Sequence, residues 1–513
     1  MSRVAVVGGG IGGLTAALLL SRRGHGVTVY ERAGQVGGRV AFEEMGPYRI
    51  DRGPTIVLLP EMLTGILEEG GLPPGSLELL RCDPLCRIHF KSGRVLTKVG
   101  GTEEQAAEIE RQYPGEGEGF LRFMRDMGQL YPQGKASFLE RGYPSRRQFF
   151  SPANLALMTR LRAYKSLRSA VGSYFKSEEL RDAFSLQSLY IGGAPFRTPG
   201  IYAMLPYAES AFGIWMLKGG YGMLPQLMSR ELLRRGVQIH TDTEVGSLLV
   251  EDGRCRGVRT GDEEILYDAV LYNGDFPYLE ELLPRELFKP GQPALKSTGK
   301  TGSARKIQLP RGNFKPSSGC LLIYAGAAKR WAESETHQFF LPESLNDNLR
   351  ELFDHGRISH LPSYYVFNPV VLDDNAAPPG ESVLYFLIPV PGDPGLDWDE
   401  IAGPLADTVL ADAEERGFPG LTASLVWRRL RTPGDAEQEG LFGGGSFGIA
   451  PVLSQLGVFR PQPKPYPIKG LYAAGASVHP GGGVPIVMQG ARMAVHEMIK
   501  ELGDDEQRDF GAM

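Results

Sequence analysis

The chain opens on a short unbroken apolar run, Val4-Ala5-Val6-Val7, which meets a segment that is almost all glycine, Gly8-Gly9-Gly10-Ile11-Gly12-Gly13. A longer apolar stretch, Leu14-Thr15-Ala16-Ala17-Leu18-Leu19-Leu20, is stopped by Gly24-His25-Gly26, and a second run, Val27-Thr28-Val29-Tyr30, ends in Glu31. Short apolar runs without polar alternation read as strands buried on both faces, and the longer stretch with glycine at its end reads as a helix. The pattern predicts a β-α-β unit. Further on, residues 237–240 read as a strand, 245–250 and 255–260 as a hairpin around Asp252-Gly253, and 269–275 as a strand running into a turn. Residues from about 105 to 210 read as mainly helical, beginning with an acidic helix over 103–113. The turn Lys218-Gly219-Gly220-Tyr221-Gly222 leads into another helix that stops at Gly236. Four apolar runs, at 320–324, 338–341, 364–367 and 383–388, predict a mixed sheet flanked by helices; 373–380 reads as a loop, and the tail after Leu502 is polar.

A glycine loop between a strand and a helix suits phosphate chemistry. Gly8 permits the tight turn, Gly10 and Gly12 let backbone approach a pyrophosphate, and Gly13 lets helix pack on strand. The helix start offers free N–H groups and the positive dipole end to the phosphates, and Glu31 can accept hydrogen bonds from a ribose. A second glycine-rich segment lies near the other end of the chain, with Gly475-Ala476 running through Ser477-Val478-His479-Pro480 to Gly481-Gly482-Gly483-Val484-Pro485. Two such segments predict that the ends fold together around one extended cofactor. Arg32 follows Glu31, and beyond it come Gly37-Gly38-Arg39 and Asp51-Arg52-Gly53-Pro54-Thr55. A second glycine turn carrying an arginine suits the extended diphosphate of FAD better than a nicotinamide dinucleotide. Val245 is expected near the adenine, and Gly475, Ala476, Gly483, Val484 and Pro485 near the flavin ring, with the late helix aiming its positive end at the ring. These readings assign 1–105, 216–290 and 430–513 to a discontinuous FAD-binding domain, 106–215 to a helical membrane and substrate region, and 291–429 to a substrate-binding sheet domain. The fold class is α/β: a Rossmann-type (GR2-like) FAD domain interleaved with a mixed-sheet and helical domain.

At 513 residues with net charge -5, the chain gives no general case for nucleic acid. Four scattered cysteines make no disulfide framework. Cys82 and Cys86 have half a metal-site spacing with no second pair, so no metal is expected. A strand at the N-terminus leaves no room for a cleavable signal peptide, and no apolar run is long enough to span a bilayer. Between Arg141 and Ser177, eight basic residues occur without one acid, interleaved with apolar side chains such as Phe149, Phe150, Leu155 and Tyr164. That inversion of sign predicts docking on an anionic membrane.

With those residues in view, the chain resembles the bacterial carotenoid desaturases of the phytoene and diapophytoene type, within the FAD-dependent amine-oxidase-like flavoproteins. The resemblance rests on Gly8 to Glu31, on Gly37-Gly38-Arg39, on Asp51 to Thr55, on Lys218-Gly219-Gly220, on Tyr365 to Pro391 and on Phe459-Arg460-Pro461. Its most specific part is the His-Pro-Gly-x-Gly-x-Pro loop from His479 to Pro485. It implies bound FAD, a hydrophobic polyene drawn from a membrane, desaturation by hydride transfer to flavin with proton loss, and a cytoplasmic location, peripheral on the inner face of the cell membrane. Quinone or oxygen is the implied re-oxidant. Many relatives carry an acid where Ala476 stands, so an acid-to-ribityl contact is not carried over. His479 is the titratable group of the loop and is the candidate cation stabiliser or proton acceptor; the alternative is a histidine that fixes the loop beside Pro480. Rival readings are a terminal-methyl oxidase, a carotene isomerase or a retinol-type saturase on the same scaffold, and a non-enzymatic isoprenoid escort.

Overall fold

The structure, a computed structural model, describes residues 1–288, 312–331, 333–393 and 395–503. The start assigned to the sheet domain at 291 and most of the polar tail lie outside these residues. Strand β1 (Arg3–Val7), helix α1 (Ile11–Arg22) and strand β2 (Gly26–Tyr30) form the expected unit. Five parallel strands make one sheet in the order Leu471–Ala473, Ala269–Tyr272, β1, β2, Gln238–His240. The apolar run of β1 divides by parity: Val4 and Val6 face a layer that contains α1 and the helices Met223–Arg234 and Val484–Leu502, whereas Ala5 and Val7 face the three-stranded hairpin layer of residues 247–266. Helices and hairpins cover the two faces, so neither face can be polar.

The second sheet has seven strands, ordered Leu425–Arg431, Gly319–Ala327, Ser382–Val390, Tyr364–Phe367, His337–Phe340, Cys86–His89, Val95–Lys98. Only the pair His337–Phe340 with Cys86–His89 is parallel, so the sheet is mixed. Parity again sorts its side chains. Leu321, Ile323, Leu384 and Phe386 pack on the helix Trp398–Arg416, and Cys320, Leu322, Tyr365 and Phe339 face the helical region. Two boundaries read from sequence need correction. Residues 86–98 belong to this sheet although they fall inside the first 105 residues, because their apolar face packs with Phe339 and Tyr365 rather than on β1. The strand Leu425–Arg431 straddles the boundary drawn at 430.

The basic stretch of 141–177 is not one amphipathic helix. It breaks into Arg146–Phe149, Pro152–Arg160 and Leu167–Val171, because Ser145, Ser151 and Ser166 each cap a new helix by accepting a backbone N–H. Arg168 is also withdrawn from the surface, being paired with Glu178 and Asp182.

Candidate active site

The two units enclose one cavity of about 2010 Å³ that runs without a break from the glycine loops to the inner face of the seven-stranded sheet. That is about twice the upper end of ordinary ligand pockets, roughly 1,000 Å³. At one end it is lined by Gly8, Gly10, Gly12, Glu31, Arg32 and Val245. Next come Gly38, Arg39, Pro54 and Thr55, and then Gly475, Ala476, His479, Gly483, Val484 and Pro485. All of the candidate residues therefore meet at this cavity except Gly13, which lies behind the loop. An added Cβ at Gly13 would stand 2.1 Å from the Gly8 carbonyl oxygen, so its bare Cα is what lets α1 close on β1.

The local chemistry fits a dinucleotide. Gly8 adopts φ +102°, and the N-termini of α1 and of the helix Val484–Leu502 both open on the cavity. The two chain ends touch, since a Cβ on Gly12 would lie 3.1 Å from the Val487 side chain. Glu31 spends one oxygen on the N–H of Gly9 at 2.7 Å and the other on that of Ala33 at 2.9 Å, which fixes the carboxylate and leaves further lone pairs for a ribose. Arg39 and Arg460 are cations that bond to carbonyls instead of carboxylates. Arg39 donates to Ser446 at 2.7 Å, and the buried Arg460 donates to Gln455 and Val478, both at 3.3 Å, and to Ala476. Burial pulls the Arg460 guanidinium down to about 10, still charged at neutral pH. Cations held this way suit an anionic ligand. Asn273 donates to the Gly8 carbonyl at 3.2 Å while its own side-chain oxygen is buried without a partner among the described residues. A cradle with no room for a Cβ, two helix starts and two carbonyl-bound arginines fit FAD.

His479 has its Nε2 2.9 Å from the Arg141 carbonyl, so that nitrogen carries the hydrogen; Nδ1 is buried without a partner among the described residues. Burial holds the ring near pKa 4, so it is neutral. The motif Asp51 to Thr55 and the turn Lys218-Gly219-Gly220 prove to be one joint: buried Asp51 accepts from Tyr221 at 2.9 Å and Gly222 at 3.0 Å, and burial raises its carboxyl to about 7. Cys82 and Cys86 are buried thiols whose pKa values burial raises, and no metal-holding cluster occurs among the described residues.

Sequence reasoning missed four groups. Asp275 lines the cavity and accepts from Ser477 and from the Phe442 N–H at 3.0 Å, so an acid reaches the late loop from another strand although Ala476 offers none. Asn273 and Asp275 follow the carboxyl end of a parallel strand, where open α/β sheets bind ligands, and that position was the available signal. Arg460 and Tyr365 had only their place in quoted motifs.

Residues 11–499 match the family model of flavin containing amine oxidoreductases. The chain belongs to that family and is an FAD-dependent oxidoreductase. Within it, the chain is 42% identical to a protein of Metabacillus indicus named 4,4'-diapolycopen-4-al dehydrogenase, over 98% of both chains. It is 34% identical to the zeta-carotene-forming phytoene desaturase of Myxococcus xanthus, over 97% of this chain and 94% of that one. It is therefore a member of the carotenoid desaturase family. A solved oxidoreductase from Methanosarcina mazei shares the fold, with a TM-score of 0.65 and 18% identity over 96% of this chain and all of that one.

Proposed function

We propose that the protein desaturates an acyclic carotenoid precursor of the phytoene or diapophytoene type. The carrying observation is the single cavity in which the dinucleotide loops continue into an apolar tunnel walled by Leu186, Leu322, Phe339 and Leu387. FAD, when bound, supplies the hydride acceptor. The residues of the chain hold the polyene extended, keep water from it and place its carbons beside the late loop; a polyene needs orientation and a dry site more than a strong base. Neutral His479, tied to the Arg141 carbonyl, is a positioning residue in this reading.

A second reading is supported by the 42% identity to the Metabacillus protein: oxidation of a terminal aldehyde on a thirty-carbon polyene. There the hydrated aldehyde carbon gives up the hydride and its hydroxyl the proton, yielding an acid. The same cavity serves both.

The tunnel mouth supports membrane docking. Phe150, Phe459 and Leu453 line the cavity and are 41%, 40% and 64% exposed, Arg146 sits 5.1 Å over the Phe459 ring, and Arg147 and Lys165 are exposed nearby in sequence. An apolar rim with cations suits the headgroup layer of an anionic bilayer. No helix among the described residues is long and apolar enough to cross a membrane. We propose peripheral attachment on the inner face of the cell membrane, with a bilayer quinone or oxygen as re-oxidant.

The test is anaerobic incubation of FAD-loaded protein in liposomes with phytoene, its thirty-carbon analogue, and a thirty-carbon polyene aldehyde. Hydrogen lost in pairs with bleaching of the flavin supports desaturation. Gain of one oxygen from the aldehyde alone replaces it with the second reading. No product from any polyene refutes both.

A further inference from the structure

Where the sheet wall of the tunnel meets the dinucleotide unit, three polar side chains from three segments form a chain. The Thr55 hydroxyl is 2.7 Å from the Tyr365 hydroxyl, which is 2.6 Å from Nδ1 of His337. All three residues are buried, and Thr55 and Tyr365 line the cavity. The hydrogens of this chain can be counted. His337 Nε2 is buried and has no partner among the described residues. A hydrogen there would be a buried orphan N–H, the rarer and costlier kind of unpaired group, so the network assigns the hydrogen to Nδ1. The ring is neutral, since burial lowers its pKa to about 3. Nδ1–H then donates to the Tyr365 oxygen, and one of the Tyr365 and Thr55 hydroxyls donates to the other. Three hydrogens serve two bonds, and the surplus one belongs to this hydroxyl pair, both members of which line the cavity.

Beside it, the ring of Tyr385 lies 6.2 Å from that of Tyr365 and lines the same cavity. A hydrocarbon offers no acceptor to such groups, and burying an unpaired hydroxyl against it is unfavourable. A carbonyl oxygen would satisfy the surplus hydrogen.

We propose that the His337–Tyr365–Thr55 chain is an oxygen-recognition point in the tunnel, and that the preferred substrate is a polyene bearing a terminal carbonyl. The proposal rests on the polyene reading above and favours its aldehyde version. His337 is a positioning residue, acting through the paired hydroxyls of Tyr365 and Thr55.

The test uses FAD-loaded enzyme, reduced beforehand and kept anaerobic so that nothing turns over. It is titrated with a thirty-carbon polyene hydrocarbon and with the same polyene carrying a terminal aldehyde. Protein fluorescence gives the two affinities, and Raman scattering gives the carbonyl stretch. The aldehyde should bind about tenfold tighter, the worth of one good hydrogen bond, with its carbonyl stretch lowered. The double variant Tyr365→Phe/Thr55→Val, with its FAD content verified, should bring the two affinities together and return the stretch to its free value. Equal affinities in the wild type, or an aldehyde advantage that survives in the double variant, overturn the proposal. If the hydrocarbon binds and is desaturated after re-oxidation while the aldehyde has no advantage, only this inference falls. If neither polyene binds, the polyene reading falls with it.

Discussion

Substituting Gly13 by alanine should abolish tight FAD binding, and the size of the loss can be worked from the geometry. The added Cβ would stand 2.1 Å from the Gly8 carbonyl oxygen, where ordinary contact begins at 3.4 Å, so 1.3 Å must be found (3.4 − 2.1). Neither side can swing away. The Gly8 carbonyl is backbone, fixed by the Asn273 amide at 3.2 Å and by the bond of its own N–H to Tyr30 at 2.8 Å. The start of α1 must therefore withdraw, carrying with it the N–H groups that open on the cavity. Two hydrogen bonds to a charged phosphate, at roughly 1.5–3 kcal/mol each, correspond to a loss of about 10²–10⁴-fold in affinity. The assay is titration of the apoprotein with FAD, followed by quenching of flavin fluorescence. Gly65→Ala is the control. It lies inside the helix Pro60–Glu69 with nothing within 4 Å of the new Cβ, and should stabilise by about 0.4–1 kcal/mol while leaving FAD affinity alone. A Gly13→Ala protein that binds FAD within about threefold of wild type would refute the assignment of this loop to the phosphates.

Lys98 and Glu209 form an ion pair at 2.6 Å with exposures of 1% and 0%. Lys98→Met strands a buried carboxylate and should cost about 3–5 kcal/mol in denaturant unfolding, most of it recovered in Lys98→Met/Glu209→Gln; a single-mutant cost below about 1 kcal/mol would contradict the burial. His89, His337 and His479 are held by burial at about 4, 3 and 4, below the ordinary 6.5. Between 6.5 and 4 the unfolded chain binds protons that the native one refuses, so stability present above 6.5 is lost as pH falls; a thermal midpoint that stays flat from pH 7 to 4.5 would sink this account. His479→Gln can keep the bond to the Arg141 carbonyl and should retain FAD and most turnover, whereas a fall beyond about 100-fold with flavin still bound would make the ring a catalytic group. Phe150→Ser/Phe459→Ser should weaken sedimentation with anionic vesicles by roughly tenfold and leave FAD content unchanged; unaltered sedimentation would remove the tunnel mouth from the membrane surface.

What could be read from the chain alone was what local order encodes. The unit from β1 to β2 and the four sheet runs were legible because their periodicity and glycine stops sit within a few residues of one another. The helix breaks at Ser145, Ser151 and Ser166 were also legible as cap residues, but the run of like charge masked them. The strand Cys86–His89 was not readable, since its partner at 337–340 lies some 250 residues away and four-residue strands carry little pattern. Arg460 and Asp275 escaped for a related reason. Their significance comes from what they face, carbonyls of 476 and 478 for one and Ser477 for the other, and no spacing rule links those positions. Two motifs noticed separately, around Asp51 and around Gly220, turned out to be halves of one contact.

The order of strands in the parallel sheet also governs when the protein can exist at all during its synthesis. The strand Leu471–Ala473 completes that sheet beside Ala269–Tyr272, and the helix that follows from Val484 lies on α1, so residues 3–22 wait for residues 471–502 before their core is closed. The seven-stranded sheet likewise takes strands from residue 86 to residue 431. Neither half can leave the ribosome as a finished body. Emerging chains therefore carry exposed apolar strands while residues 23–470 are made, and flavin capture reports the arrival of the segments 471–473 and 484–502.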